Sequence, residues 1–490
     1  MTILTENAEL STEFLSNQVI QIIKASKDSI EAEKKLFSFG LKLLNTLVKD
    51  ALEIIDKELY RNEYKNKGYR ISRRDERTIY CLWGELTYSR RLLEAKGKKS
   101  FYPLDHKMGF ESGKHYSLAV IENIVKVMAT TTSRNTEKIF QDLTHISASH
   151  QTVVALKNYA GQKATAYEKA KAEEKVSIKE PVPEGILAIE GDGIILKGKD
   201  GGKKEELHRI QVYTGVRKNG NRTKLEGRYC FTGMNRQELV LRVKKYLNNH
   251  YKLSELTILS NGDGGAGYQV SDFEQMTEGC KIHLHFRDRF HVNKKIRERL
   301  SFCDKRLVEY VIKECNTQKD ITKYIDTWMD TAASQAQTNK DMEAVEKLRA
   351  YLKRNAIYLP TIKQRGVKTN IHLGTAETNH RSYSYRLKRQ GRVWSHKGLE
   401  NMVAVLTAQK NDELNKALLY KANGRNYKKK DRAFNTAMRE AIKARETSHI
   451  TAAQKRKQRN YRSGCLEGRI GCYGASTSPL ACLAHAIQFC

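Results

Sequence analysis

Three short runs of this 490-residue chain carry side chains suited to holding a divalent cation. Glu190-Gly191-Asp192-Gly193 interrupts an apolar stretch, Asn261-Gly262-Asp263-Gly264-Gly265-Ala266 closes another, and Glu377 sits within Thr375-Ala376-Glu377-Thr378-Asn379-His380-Arg381. Carboxylates held close together repel unless a cation lies between them, and hard oxygen donors select Mg²⁺ or Mn²⁺. A pair of such ions activates the attacking oxygen and stabilises the leaving oxygen in phosphodiester displacement. Glu190 competes with Asp192, because residues two apart share one face of a strand. The glycines around the aspartates (Gly191, Gly193, Gly262, Gly264, Gly265 and Gly267) read as clearance for a substrate backbone. An isolated Asp-Gly pair is a commonplace turn, so the elements that carry the two aspartates decide whether they matter.

Those elements follow an ordered pattern. After Pro183 the apolar period changes to two: GILAIEGDGIILKG predicts a buried strand containing Asp192. LHRIQVYTGV and EGRYCFTGM predict two more strands around the turn Lys218-Asn219-Gly220-Asn221. A helix over Asn235 to Asn249 precedes the strand ELTILSNGDGG, which ends at Asp263, and then come a helix over Gln269 to Met276 and the strand CKIHLHF. The order is three antiparallel strands followed by α/β units, a mixed sheet. If the first and fourth strands are parallel neighbours, both aspartates meet at one edge, where open α/β sheets place their sites. The third acid is expected from a helix packed on that edge. Glu377, His380 and Arg381 share a helical face, the acid to bind metal and the other two to address a scissile phosphate. Glu400 is an alternative within the ordinary amphipathic run LENMVAVLTAQ. The charged, helical stretch from Asp288 to Lys363 reads as an insertion.

Upstream, residues 6–60 have helical periodicity, with Leu36, Leu43, Leu47 and Ile54 forming either a dimerising stripe or a core face. Residues 66–105 suggest short strands or a hairpin. Glu180-Pro181-Val182-Pro183 marks a domain boundary. In SRNTEKIFQDLTHISASHQTVVALKNYAG, a helix to Leu143, a turn through His145 and Ser147, and a second helix from Ser149 have the rhythm of a helix-turn-helix. Its second helix would present His150, Gln151, Lys157 and Asn158 to DNA, although two helices of an all-helical subdomain look the same. The expected divisions are 1–65, 66–180, 184–287, 288–365 (the insertion), 366–412 and a basic tail, 413–490.

The charge names a partner class. Lys and Arg number 88 against 56 Asp and Glu, a net of +32, and half of that surplus lies in residues 381–470. Tyr383, Tyr385, Trp394, Tyr427 and Tyr461 are interleaved there. Cations neutralise phosphates and aromatic faces stack on bases, so nucleic acid is the expected partner. No run approaches the ~18 apolar residues of a membrane span. The start, MTILTENAELSTEF, lacks the pattern of a secretory signal. The nine cysteines are odd in number and scattered, and read as reduced thiols of a cytoplasmic, nucleoid-associated protein. The last four (Cys465, Cys472, Cys482, Cys490) lack zinc-ribbon spacing.

The run Gly374 to Arg381, continuing through Tyr385, Arg386, Lys388, Gly391, Trp394, Ser395 and Gly398, resembles the third-acid signature of ISLre-type insertion-sequence transposases. Glu190 to Gly193 and Asn261 to Ala266 resemble that family's two aspartate motifs, and the similarity runs from about residue 30 to about residue 410. The resemblance implies a ribonuclease H-like α/β core with a helical insertion, behind an all-helical or helix-turn-helix N-terminal region. It also implies a metal-binding triad of Asp192, Asp263 and Glu377 with two Mg²⁺ or Mn²⁺ ions. Arg386, Lys388, Arg389 and Trp394 then join His380 and Arg381 as expected DNA contacts. Asp288-Arg289-Phe290-His291 stands where related transposases carry an Asp-x-Phe-His element, so Asp288 and His291 become auxiliary candidates; capping a helix is the plain role for Asp288. Tyr268 either stacks on a DNA end or packs. The implied activity is cleavage at element ends and joining of the 3′-hydroxyl to target DNA, by a homodimer or larger assembly. The rivals are a DNA-binding regulator without catalysis and a nuclease that cuts without joining.

Overall fold

The computed structural model describes residues 2–421 apart from 145, 200–203, 221, 266–267 and 390–391, with the side chains of 2–11, 219, 222, 377 and 378 also left aside. His145, Gly267, Gly391 and the tail beyond 421, with its tyrosines and four cysteines, lie outside the described residues. Helices α1 (Thr2–Lys24) and α2 (Ser29–Leu59) lead in. Asp28 starts α2 by accepting from the Glu31 backbone N–H. Of the expected stripe on α2, Leu36 and Leu43 are half-buried and Leu47 and Ile54 exposed; the helix buries Leu52 and Leu59 instead, and Phe37 and Leu44 are exposed as well.

Next comes an antiparallel sheet of β1 (Arg70–Cys81), β2 (Gly84–Ala95) and β3 (Lys98–Phe101), so the N-terminal region is mixed rather than all-helical. Buried residues alternate with more exposed ones through Arg77–Cys81 and Gly84–Tyr88, the pattern of a half-buried ribbon. Helix α3 (Pro103–Met108) is tied to both long strands through Asp105, which accepts from Arg77 at 2.7 Å and from Tyr88 at 2.9 Å and also pairs with Arg90. Helices α4 (Leu118–Met128), α5 (Ser133–Leu143) and α6 (His150–Glu173) follow. Each is begun by a hydroxyl (Ser117, Thr132, Ser149) that accepts from a backbone N–H in the first turn.

The central sheet is built by β4 (Ile186–Lys197), β5 (Lys204–Tyr213), β8 (Tyr229–Gly233), β9 (Thr257–Gly262) and β10 (Ile282–Arg287). Between β5 and β8, a turn at Gly220 closes a separate two-stranded ribbon of β6 (Gly215–Asn219) and β7 (Arg222–Glu226). The spatial order is β10-β9-β4-β5-β8; β4, β5 and β8 pair antiparallel, and β4, β9 and β10 pair parallel. One face packs Leu187, Ile189, Ile210, Val212 and Phe231 on α7 (Arg236–His250) and α8 (Val270–Met276). The other sets Ile186, Ala188, Leu259 and Phe286 against Ile371. With both faces covered, the inner strands read as nearly continuous apolar runs.

Helices α9 (Arg289–Arg299), α10 (Lys305–Thr317), α11 (Thr322–Ala333) and α12 (Asn339–Asn355) share a core of their own around Ile296, Ile325, Trp328 and Leu348. They are followed by α13 (Ala376–Leu387), α14 (His396–Lys410) and α15 (Leu414–Leu419). Helix α14 is buried from Leu399 to Ala408 apart from Glu400, and it crosses α6 closely at Gly161. No helix among the described residues is long and apolar enough to cross a membrane.

The crossing is testable. A Cβ on Gly161 would lie 2.4 Å from the Asn401 carbonyl oxygen and 2.5 Å from its Cα, so both backbones must part. Gly161→Ala is expected to cost about 1–3 kcal/mol. Gly40→Ala, inside α2 with nothing within 4 Å, is expected to gain roughly 0.5–1 kcal/mol. Denaturant titration of both variants reads the two signs.

Candidate metal centre

In the β4–β9 pairing Gly191 stands opposite Gly262, so the next residues on these parallel neighbours, Asp192 and Asp263, emerge together at the sheet's edge. The third member comes from the first turn of α9. Ligand atoms of Asp192, Asp263 and His291 lie within 4.8 Å of one another. Two carboxylate oxygens and one imidazole nitrogen form a mixed donor set that fits one divalent cation and suits Mn²⁺ better than Mg²⁺, which favours oxygen ligands.

Asp288 serves that histidine twice. Its carboxylate caps α9 through the His291 backbone N–H and meets His291 Nδ1 at 2.6 Å. With Nδ1 engaged, Nε2 is the atom left for a cation, the carboxylate–histidine–metal arrangement that fixes a ring's tautomer and aim. Burial pushes the Asp288 carboxyl up, but the hydrogen bond and charge of His291 outweigh it and hold the group below its usual range. The same hydrogen bond raises His291 against the opposing effect of burial, with Asp192 and Asp263 adding to it.

A second histidine approaches from the other side. His380 Nδ1 is 3.4 Å from Asp192 Oδ2. Burial, then the charges of Arg209, Lys410 and His291, pushes its pKa down to about 3, so the ring is neutral. Glu377, the second residue of α13, lies one turn before His380; its side chain is outside the described residues, and so is the expectation that it ligates.

What holds the start of α13 against the sheet is Glu190, only 1% exposed. It accepts from Tyr213 Oη at 2.7 Å, Gly374 N at 2.9 Å, Thr375 Oγ1 at 3.0 Å, Gln211 Nε2 at 3.2 Å and Thr375 N at 3.3 Å. Arg209, across from Asp192 in the β4–β5 register, donates to the Ala376 carbonyl at 3.0 Å and to Gln211. Glu190 is thus a fully engaged clamp rather than a member of the acid cluster. The signal for it was present: in LHRIQVY every second residue from Arg209 is polar or carries a hydroxyl, although the strand is buried.

Several expected contacts are corrected by burial. Lys157 is 3% exposed and donates to the Gly398 carbonyl at 2.9 Å, so it braces α6 on α14 and does not face DNA. Arg386, also 3% exposed, donates to the Met128 carbonyl at 2.8 Å and lies over the Trp394 ring. Trp394 is half-buried, its indole N–H on the Leu387 carbonyl at 2.9 Å. Tyr268 is 3% exposed beneath the aspartates, with its hydroxyl 3.2 Å from His208 Nδ1. It fills the space over Gly191 and Gly193, and the Arg287 guanidinium fills that beside Gly264. These three glycines therefore admit side chains of the chain itself, not a substrate backbone. Arg381, Lys388, Arg389 and Gln151 are exposed, and His150 meets Glu137 at 3.2 Å. Asn158 lies 3.3 Å from Asn401. Glu400 is exposed and paired with His396 at 3.3 Å.

Two outcomes are expected. Asp288→Asn should weaken Mn²⁺ binding by about 10–100-fold through its effect on His291, and Asp192→Asn should weaken it further, as read by calorimetry; unchanged affinity in both would remove the cation from this site. Glu190→Ala should cost about 2–4 kcal/mol, since it strands several buried donors, with hydrogen exchange at Gly374 and Thr375 speeding up before exchange in β4.

Residues 28–422, which span every element from α2 to α15, match the family described as Uncharacterised protein family (UPF0236). A Streptococcus gallolyticus protein named UPF0236 protein in vanSb 3′region is 31% identical over 400 residues, covering 80% of this chain and 86% of the relative. On both counts the chain belongs to the UPF0236 family.

Proposed function

We propose that this chain is a DNA transposase of the ISLre-like, DDE type, cutting phosphodiester bonds at element ends and joining the freed 3′-hydroxyl to target DNA. The observation that carries the reading is the meeting of Asp192 and Asp263 on adjacent parallel strands, with His291 within 4.8 Å. The sheet supports it: three antiparallel strands followed by two parallel ones, with the first strand central, is the arrangement expected of a ribonuclease H-like core. A four-helix run between β10 and α13 corresponds to the insertion such cores carry.

Asp192, Asp263 and His291 would hold one cation, and Glu377, a turn from His380, would complete the place for a second. When bound, Mg²⁺ or Mn²⁺ lowers the pKa of an attacking water and stabilises the leaving oxygen. Asp288 aims His291, and Glu190 with Arg209 fixes the helix that brings His380 against Asp192. His380 stays neutral, so it packs on the carboxylate without competing for its charge. In the first step a water oxygen bonds to phosphorus, the P–O3′ bond breaks and the 3′-oxygen leaves with a proton. In the second that 3′-hydroxyl attacks a target phosphate and displaces another 3′-oxygen in the same geometry.

Exposed Arg381, Lys388 and Arg389 would contact phosphates, together with the basic tail. Bringing two element ends together calls for a homodimer or larger assembly on DNA, and the exposed Phe37, Leu44, Leu47 and Ile54 of α2 offer it a surface. The partners are thus terminal repeats and target DNA, in a cytoplasmic, nucleoid-associated setting.

Labelled terminal-repeat DNA incubated with Mg²⁺ or Mn²⁺ tests the reading. The wild type should cut and join, and Asp192→Asn, Asp263→Asn and Glu377→Gln should each lose on the order of 100-fold or more, ~2.7 kcal/mol of transition-state stabilisation. Undiminished joining by all three variants would refute the catalytic assignment; cutting without joining would reduce it to a nuclease.

A further inference from the structure

Beside Asp263 lies a group of cations that this mechanism leaves unused. Arg287 ends β10 with its guanidinium against the backbone of the next loop, so close that a Cβ on Gly264 would fall 2.2 Å from Nη1. The residue is 8% exposed, yet Nε and Nη1 find no acceptor among the described residues, and the group lies 5.3 Å from the centre of the Tyr358 ring. Lys295 of α9 lies within electrostatic reach of Asp263, of Arg299 on the same helix, of Arg287 and of Arg354 on α12; Arg287 also senses Arg354, and the Tyr351 hydroxyl senses Arg287, Arg299 and Arg354. Lys295 Nζ sits 4.3 Å from the centre of the Tyr351 ring; the Tyr351 hydroxyl and Arg299 Nη1 are also enclosed without hydrogen-bond partners among the described residues.

Neighbouring lysines behave differently. Lys294 pairs with Glu298 at 3.8 Å and Lys353 with Asp326 at 2.7 Å, whereas none of the four converging cations has a carboxylate ion pair among the described residues. Asp263, the nearby acid, belongs to the cation site, and a bound metal would add positive charge. Buried donors without acceptors and unpaired like charges are both costly, and a bound oxyanion removes both costs at once. Arginine's planar fork matches phosphate oxygens in pairs.

We propose that Arg287, Lys295, Arg299 and Arg354, with the Tyr351 hydroxyl, form a seat for a backbone phosphate of the DNA strand running past Asp263. The seat rests on the transposase reading and gives the helical insertion a task in it: α9 and α12 supply three of the four cations. Lys295, Arg299 and Arg354 form its open side, and Arg287 and Tyr351 its floor.

The test uses the full chain without divalent cation, so that binding is read apart from cutting. Fluorescence anisotropy of a labelled duplex across a salt series compares wild type, Lys295→Gln/Arg299→Gln/Arg354→Gln, and a control of equal charge loss on α10, Lys305→Gln/Arg306→Gln/Lys313→Gln. The seat predicts at least about tenfold weaker binding for the first triple variant and a salt slope lower by about 0.9 per lost phosphate, with the control near wild type. Matching thermal unfolding of the two triples excludes misfolding, and Arg287→Lys probes the floor separately. Equal losses in both triples, or none in either, overturn the seat while leaving the cleavage assay to judge the acid centre. Absence of DNA binding by the wild type overturns both. Inorganic phosphate probes the other source in a melting assay: if its stabilisation is lost in the first triple while DNA affinity is unchanged, the pocket serves a free oxyanion and the strand assignment falls.

Discussion

The candidate site depends on one register. Gly191 pairs with Gly262 across parallel strands, and the residue after each is an aspartate. Because side chains alternate faces along a strand, a slip of one residue would turn one carboxylate towards α7 and α8 and leave the other alone. What prevents the slip is burial on both faces: Leu187 and Ile189 on one side, Ile186 and Ala188 on the other, each with its own apolar partners. Repulsion between two acids is thus borne by a sheet that has no alternative alignment of comparable burial. Tyr268 adds to this, filling the space left by Gly191 and Gly193.

The polar parts of the site are arranged around that pair from three directions. The Asp288–His291 contact brings in α9, the Glu190 and Arg209 clamp brings in α13, and Arg287 approaches through Gly264. Each is a charged group drawn into the interior, and the first two are met by partners that offset desolvation. The third is not, and that asymmetry is what distinguishes the cationic pocket from the structural ion pairs around it.

Much of this was readable in the amino-acid order. Apolar runs of strand length were enough to put Asp192 inside one strand and Asp263 at the end of another; that the two strands are parallel neighbours stood only as a condition, which the β4–β9 pairing meets. Asp288 and His291 were visible as a motif, but one residue caps a helix and aims a histidine at once, and a motif does not reveal double use. Lys157 and Arg386 were misread because charge in a sequence says nothing of depth. The cue for Lys157 was in its neighbours: Val153, Ala160 and Gly161, three or four residues away, are all buried, so the lysine lies on the core face of α6. Arg386 likewise follows the buried Tyr383 by three. The ribbon of β6 and β7 escaped because only Thr214 and Gly227–Arg228 separate its short strands from β5 and β8.

The close crossing of α6 and α14 bears on how the chain is made. Lys157 reaches Gly398, Gly161 abuts Asn401, and Arg386 reaches back to Met128, so the apolar face of α6 is completed by residues that leave the ribosome more than two hundred positions later. Until they emerge, Val153, Leu156, Ala160 and Ala164 lack their α14 covering. A chain cut short by a premature stop between Asp263 and α14 would keep both aspartates yet leave this seam open to proteases. Quality control, rather than loss of an acid, would then remove truncated chains first.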